Sequence, residues 1–147
     1  MQIRKFEKTD LEAVFGLVRE LAAFEKEPES VTAQIQDYHD AFDNGLIDGH
    51  VAELEDGEIV GMTLYFDAYS TWKGKTLYLD DFYVKEAFRK HGIGQLLFNA
   101  FIDEGIKRNA RQLKWQVLDW NEIAIDFYIR QHAELIKGWW NGRILLQ

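Results

Sequence analysis

Apolar positions along the chain fall into blocks of two different periods. QIRKFE, residues 2–7, alternates and predicts a first strand. Leu11, Val14, Phe15, Val18 and Leu21 then recur at helical spacing and predict a helix ending near Phe24. Thr9 with Glu12 three residues on has the form of a capping box, so Thr9 is expected as that helix's N-cap. Pro28, the only proline, sits in the charged break EKEPES. Ile35, Tyr38 and Phe42 share one face and predict a second helix over residues 32–42, stopped by Asp43-Asn44-Gly45. HVAELEDGEIVGMTLYF reads as a hairpin turning at Asp56-Gly57. A loop with Trp72 leads into TLYLDDFYV, a strand rich in aromatic and aliphatic residues. Ile93, Leu96, Leu97, Ala100 and Phe101 predict a helix to about Lys107, and QLKWQVL a further strand. Asn121 is the expected N-cap of a short helix through Gln131, with Ala124, Phe127 and Tyr128 on one face. The tail, with GRILLQ, reads as one or two closing strands. The order is β-α-α-β-β-β-α-β-α-β, a mixed α/β sheet flanked by helices.

Composition narrows the class. The 147 residues suit one domain, 1–147. A net charge of −8 leaves no basic surplus for phosphates, which argues against nucleic acid and is compatible with a cationic substrate. Cys is absent, which removes disulfides and thiolate nucleophiles. His39, His50, His91 and His132 lack metal-ligand spacing, so no metal is expected. No apolar run is long enough for a membrane span, and a cytoplasmic protein without a membrane partner is expected.

The stretch FRKHGIGQLL, residues 88–97, carries candidate chemistry. A helix N-terminus presents unpaired N–H groups and partial positive charge. Glycines there let a phosphate approach the backbone, and Arg89 and Lys90 add full charge. Arg89 through Gly94 is thus a diphosphate cradle or, alternatively, a plain strand-to-helix turn. It is neither a Walker loop nor a dinucleotide fingerprint, since Leu97 fills the third small position of the latter.

R-x-x-G-x-G at the head of a helix, preceded by LYLDDFYV and followed by WNEIAIDFY, resembles the GNAT N-acetyltransferases, in particular their diamine (spermidine/spermine and thialysine) branch. LAAFEKEPESV and YSTWKGK resemble that branch too, so the likeness covers nearly the whole chain. The resemblance implies the GNAT fold: a mixed, mostly antiparallel sheet with splayed central strands. It implies acetyl-CoA as cosubstrate, with its pyrophosphate on the loop (Arg89, Lys90, His91, Gly92, Ile93, Gly94, Gln95). The pantetheine arm would lie along Phe82, Tyr83 and Val84, with Asn121 near it. It also implies a homodimer through the C-terminal strands.

Acetyl transfer to an amine needs an alkylammonium, of pKa about 10, to lose a proton. By resemblance Asp80 is the substrate-facing carboxylate, as base, water-positioner or anchor. The family position is usually Glu, one methylene longer. Strand alternation is expected to turn Asp81 to the opposite face. Tyr128, in the family's F-Y word, is the implied general acid that protonates the leaving thiolate; beside Phe127 it also reads as a core tyrosine. Where the family commonly has Gly after F-Y, this chain has His132, which tolerates positive φ less well. Phe24, Glu25, Trp72 and Asp80 are the expected walls of an acidic, aromatic-rimmed acceptor pocket. The implied activity is acetyl transfer to a primary amine, a small polyamine, diamine or lysine analogue. Other acceptors on the same fold, or an acyl-CoA sensor without turnover, remain the rivals.

Overall fold

A computed structural model describes all 147 residues. The chain divides into two compact units, residues 1–116 and 117–147.

The first unit is a five-stranded sheet in sequential order, β1 (Gln2–Lys5), β2 (Asp48–Glu53), β3 (Ile59–Ser70), β4 (Gly74–Val84) and β5 (Gln112–Trp115). The first four strands pair antiparallel, and β4 pairs with β5 in parallel. Helices α1 (Leu11–Phe24) and α2 (Ile35–Asp43) lie between β1 and β2, and α3 (Ile93–Lys107) between β4 and β5. Leu11, Val14, Leu17 and Val18 of α1 bury against Val51, Met62 and Leu64 of the sheet, with Ile35, Tyr38 and Phe42 of α2 packed on the same cluster. Ile93 and Leu97 of α3 pack with Ala52, Val60, Phe82 and Val84 in a second cluster.

Several expectations shift by a turn or less. Capping at the start of α1 falls to Glu7 and Asp10, around a 3-10 turn at Lys8–Asp10, and not to Thr9 and Glu12. Asp10 is drawn there because its carboxylate also takes two hydrogen bonds from Arg4, at 2.7 and 3.0 Å. The second helix starts at Ile35, capped by Gln34 and Asp37, later than position 32. The Asp56-Gly57 turn forms as read, with Gly57 at φ +91°.

The sheet opens in its middle. β5 pairs β4 only from Thr76 to Leu79, although β4 runs on to Val84. At that point the β3–β4 register slips: Leu64 faces Asp81 and Tyr65 faces Leu79, so Asp80 is the extra residue of a bulge. Beyond Leu79, β4 is held by β3 on one side only, the splayed arrangement expected.

The second unit holds α4 (Glu122–Arg130). Asn121 Oδ1 accepts a hydrogen bond from the Ala124 amide at 3.2 Å, capping the helix as its sequence suggested. His132 takes φ +63°, the left-handed conformation that the family's Gly would adopt, and the Ala133 amide closes on the Tyr128 carbonyl at 3.1 Å. No closing strand follows: residues 134–147 are irregular, and Trp139, Trp140, Ile144, Leu145 and Leu146 are exposed.

Candidate functional site

The loop before α3 has the shape of an anion cradle. Gly92, the N-cap of α3, sits at φ +82°, and Lys90 before it at +66°. The first helical hydrogen bond joins the Leu96 amide to the Gly92 carbonyl, so the amides of Ile93 and Gly94 precede the helical ladder. A Cβ at Gly92 would meet nothing within 4 Å, so the side of the helix entrance at Gly92 is open. A Cβ at Gly94 would touch Phe82 Cζ at 3.7 Å, so the helix start lies close on β4. Lys90 and His91 are exposed beside the opening. These features fit the diphosphate of coenzyme A. The one-sided edge of β4 at Phe82, Tyr83 and Val84 fits the amides of its pantetheine arm. The Gln95 side chain is turned along the helix, donating to Asn99 Oδ1 at 2.9 Å.

Arg89 is directed elsewhere. Its Nε donates to the Val84 carbonyl at 2.8 Å, and its guanidinium lies 5.4 Å from the Phe24 ring and 5.2 Å from the Tyr83 ring. It ties the loop to the ends of β4 and α1 instead of standing free for phosphate. Phe24 is thereby engaged with the loop.

On the α1–α2 side of the sheet, beside the bulge, lies a cavity of about 210 Å3 lined by Asp37, Tyr38, Ala41, Ile47, Leu64, Asp80 and Asp81. Both aspartates line it. Alternation would have sent them to opposite faces, but the bulge at Asp80 breaks the two-residue period. Asp81, the more enclosed, is pushed up to about 7 by burial first, then by the charges of Asp80 and Glu25. Asp80, more open, is raised by burial. Glu25, the C-cap of α1, is raised by burial and by Asp80, which sets it within electrostatic reach of the pair. None of the ion pairs in the structure involves Glu25, Asp80 or Asp81. Glu25 and Asp81 are half-buried, Asp80 is more exposed, and burying a carboxylate without a countercharge costs free energy.

Trp72 does not join them. It stands 80% exposed at the tip of the β3–β4 hairpin, and Asp81 lies seven residues up β4 from Gly74, roughly 23 Å at strand rise. Tyr128 is a buried residue of α4 in the second unit, and Asn121 caps that helix. Sequence reasoning missed Asp81 and Tyr38 as cavity residues. Tyr38 was visible only as one position of an amphipathic face, and a bulge leaves no sequence mark in LYLDDFYV.

Comparison with known proteins agrees with this geometry. The sequence model of the acetyltransferase (GNAT) family matches residues 12–133. A thialysine N-epsilon-acetyltransferase of Bos taurus is 35% identical over 151 residues, covering 95% of this chain and 89% of the relative. The protein of the same name from Caenorhabditis elegans is 32% identical over 136 residues, covering 90% and 84%. Among solved structures, an aminoglycoside acetyltransferase from an uncultured soil metagenomic sample, in complex with sisomicin, superposes with TM-score 0.81 at 18% identity, covering 99% of this chain and 96% of that one, a likeness of fold. The chain belongs to the GNAT family and is an acetyl-CoA-dependent N-acetyltransferase that moves acetyl onto an amine.

Proposed function

We propose that the acceptor is a small dicationic amine (a diamine, polyamine or lysine analogue) attacked directly in a ternary complex. The observation that carries this reading is the pair of carboxylates without an ion-pair partner, Asp80 and Asp81, in the wall of one small cavity, with Glu25 within electrostatic reach of both. An alkylammonium supplies the charge they lack, and the apolar wall of Ala41, Ile47 and Leu64 suits its methylenes. The names of the thialysine acetyltransferases and of a human spermidine/spermine N(1)-acetyltransferase-like protein, 32% identical over 90% of this chain, point the same way.

Bound acetyl-CoA supplies an activated acyl thioester. Main-chain amides from Lys90 to Gln95 hold its diphosphate, and Phe82, Tyr83, Val84 and Asn121 line the arm. Asp80 anchors the incoming ammonium. Asp81, with a carboxyl near the working pH, accepts its proton, so that the nitrogen lone pair is free to form the amide bond. Tyr128 gives its phenolic proton to the departing sulfur. No Cys is present to carry an acyl group, which favours one direct transfer. The whole of 1–147 acts as one catalytic domain. Two copies associate through the exposed apolar C-terminal segment, where Trp140 is 97% and Leu146 92% exposed.

A thiol-release assay over spermidine, putrescine, thialysine, lysine, an aminoglycoside and an N-terminal peptide tests the reading. Turnover concentrated on the dicationic alkylamines is expected. Turnover confined to the aminoglycoside or peptide, or CoA binding with no turnover, contradicts it.

A further inference from the structure

The cavity has four polar walls, Asp37, Tyr38, Asp80 and Asp81, and one of them is already committed. Asp37 Oδ2 accepts the Gln34 amide at 2.7 Å as part of the α2 cap. Three polar side chains remain without a hydrogen bond inside the chain. Tyr38 is held in place by its ring, which meets Phe15 edge-on with centroids 4.9 Å apart. No hydrogen bond within the chain engages its hydroxyl, and that oxygen is not sealed from solvent. Burial, then the charges of Asp81 and Asp80, push the phenol up to about 12, so it stays neutral and keeps acceptor lone pairs at physiological pH.

We propose that Tyr38 is a specificity-determining residue, its phenol oxygen completing with Asp80 and Asp81 a three-acceptor seat for a primary ammonium. The inference rests on the acceptor reading above. A primary ammonium carries three N–H donors, one for each of these three side chains. A secondary ammonium has two and brings a methyl group against a polar wall, leaving one acceptor desolvated and unmatched. The remaining walls, Ala41, Ile47 and Leu64, offer no side-chain acceptor in exchange. The chain therefore selects primary over secondary amines at the binding step.

Calorimetric titration of the full chain with coenzyme A present, using putrescine and N,N′-dimethylputrescine, tests this, with turnover of both followed in parallel. The wild type should bind putrescine at least about tenfold tighter than its dimethyl analogue, the equivalent of one hydrogen bond. Tyr38→Phe keeps the ring on Phe15 and should erase most of that ratio by weakening putrescine alone. Tyr38→Leu, which also removes the ring, should weaken both ligands. An unchanged ratio in Tyr38→Phe, or an equal loss for both amines, overturns the role of Tyr38. A shifted binding ratio without turnover of either amine upholds Tyr38 and overturns the acetyl-acceptor reading. Failure of the wild type to bind either amine overturns both.

Discussion

Two groups of carboxylates lie in the first unit, in opposite electrostatic states. Around β1, β2 and α3, Asp48, Asp67 and Glu104 are matched by Lys5 and Arg108. Arg108 alone reaches Asp48 at 2.6 Å, Glu104 at 2.7 Å and Asp67 at 3.0 Å, and Lys5 pairs with Asp48. Burial pushes Glu104 up, yet its hydrogen bond from Arg108 and the charges of Lys5 and Arg108 hold it below the usual value. Across the sheet, Glu25 and Asp81 are half-buried and Asp80 more exposed, none of them has an ion-pair partner, and all three are raised. The same residue types thus serve two ends. Where the chain supplies the countercharge, the carboxylates fasten strands to a helix. Where it does not, they stay unpaired and raised, as the proposed acceptor site requires.

Converting one group into the other should produce the largest effect. Asp80→Lys provides the missing cation, so amine turnover in the thiol-release assay should fall by more than about a thousandfold, the loss of anchor and productive geometry together. The same variant should be more stable than wild type at pH 8, because Asp81 gains a partner.

Asp81→Asn should lower kcat/KM by about a hundredfold, the usual worth of a positioned proton acceptor. Its stability effect has a definite sign. The folded-state value of Asp81, about 7, lies above its unfolded value, so the folded chain holds the proton longer. That contribution is fully present below the unfolded pKa, near 3.9, and is lost as pH rises through about 7. Asp81→Asn should therefore raise Tm at pH 8 and leave it nearly unchanged at pH 4, as read by thermal scans.

A smaller effect is expected in the matched group. Arg108→Met leaves Asp48, Asp67 and Glu104 without their shared partner and should lower unfolding free energy by roughly 2 kcal/mol in urea titration. The kcat of the folded fraction should stay near wild type, which separates fastening from chemistry.

Much of this was legible in the chain. The end of α1 at Phe24, the Asp56-Gly57 turn, the Asn121 cap and the Gly92 helix entrance follow from local side-chain chemistry, and the structure has each of them. What was illegible depends on partners distant in sequence. Thr9 satisfies the local capping pattern, but Asp10 is also drawn by Arg4 on β1, and that contact decides the cap. The bulge at Asp80 arises from the register of β3 against β4, so the period of two in LYLDDFYV gave the wrong face for one aspartate. Trp72 was grouped with Asp80 by composition, and the length of β4 separates them. GRILLQ has the composition of a strand, but composition does not supply the pairing that makes one, and the segment is irregular.

Carbon-13 NMR titration of the Asp81 carboxyl, with and without putrescine, measures the central claim directly. The unmatched cavity predicts a midpoint near 7 in the free protein, and a marked fall once the ammonium occupies its place. A free-protein midpoint near 4, the ordinary aspartate value, unmoved by the amine, would show that the cavity lacks no cation.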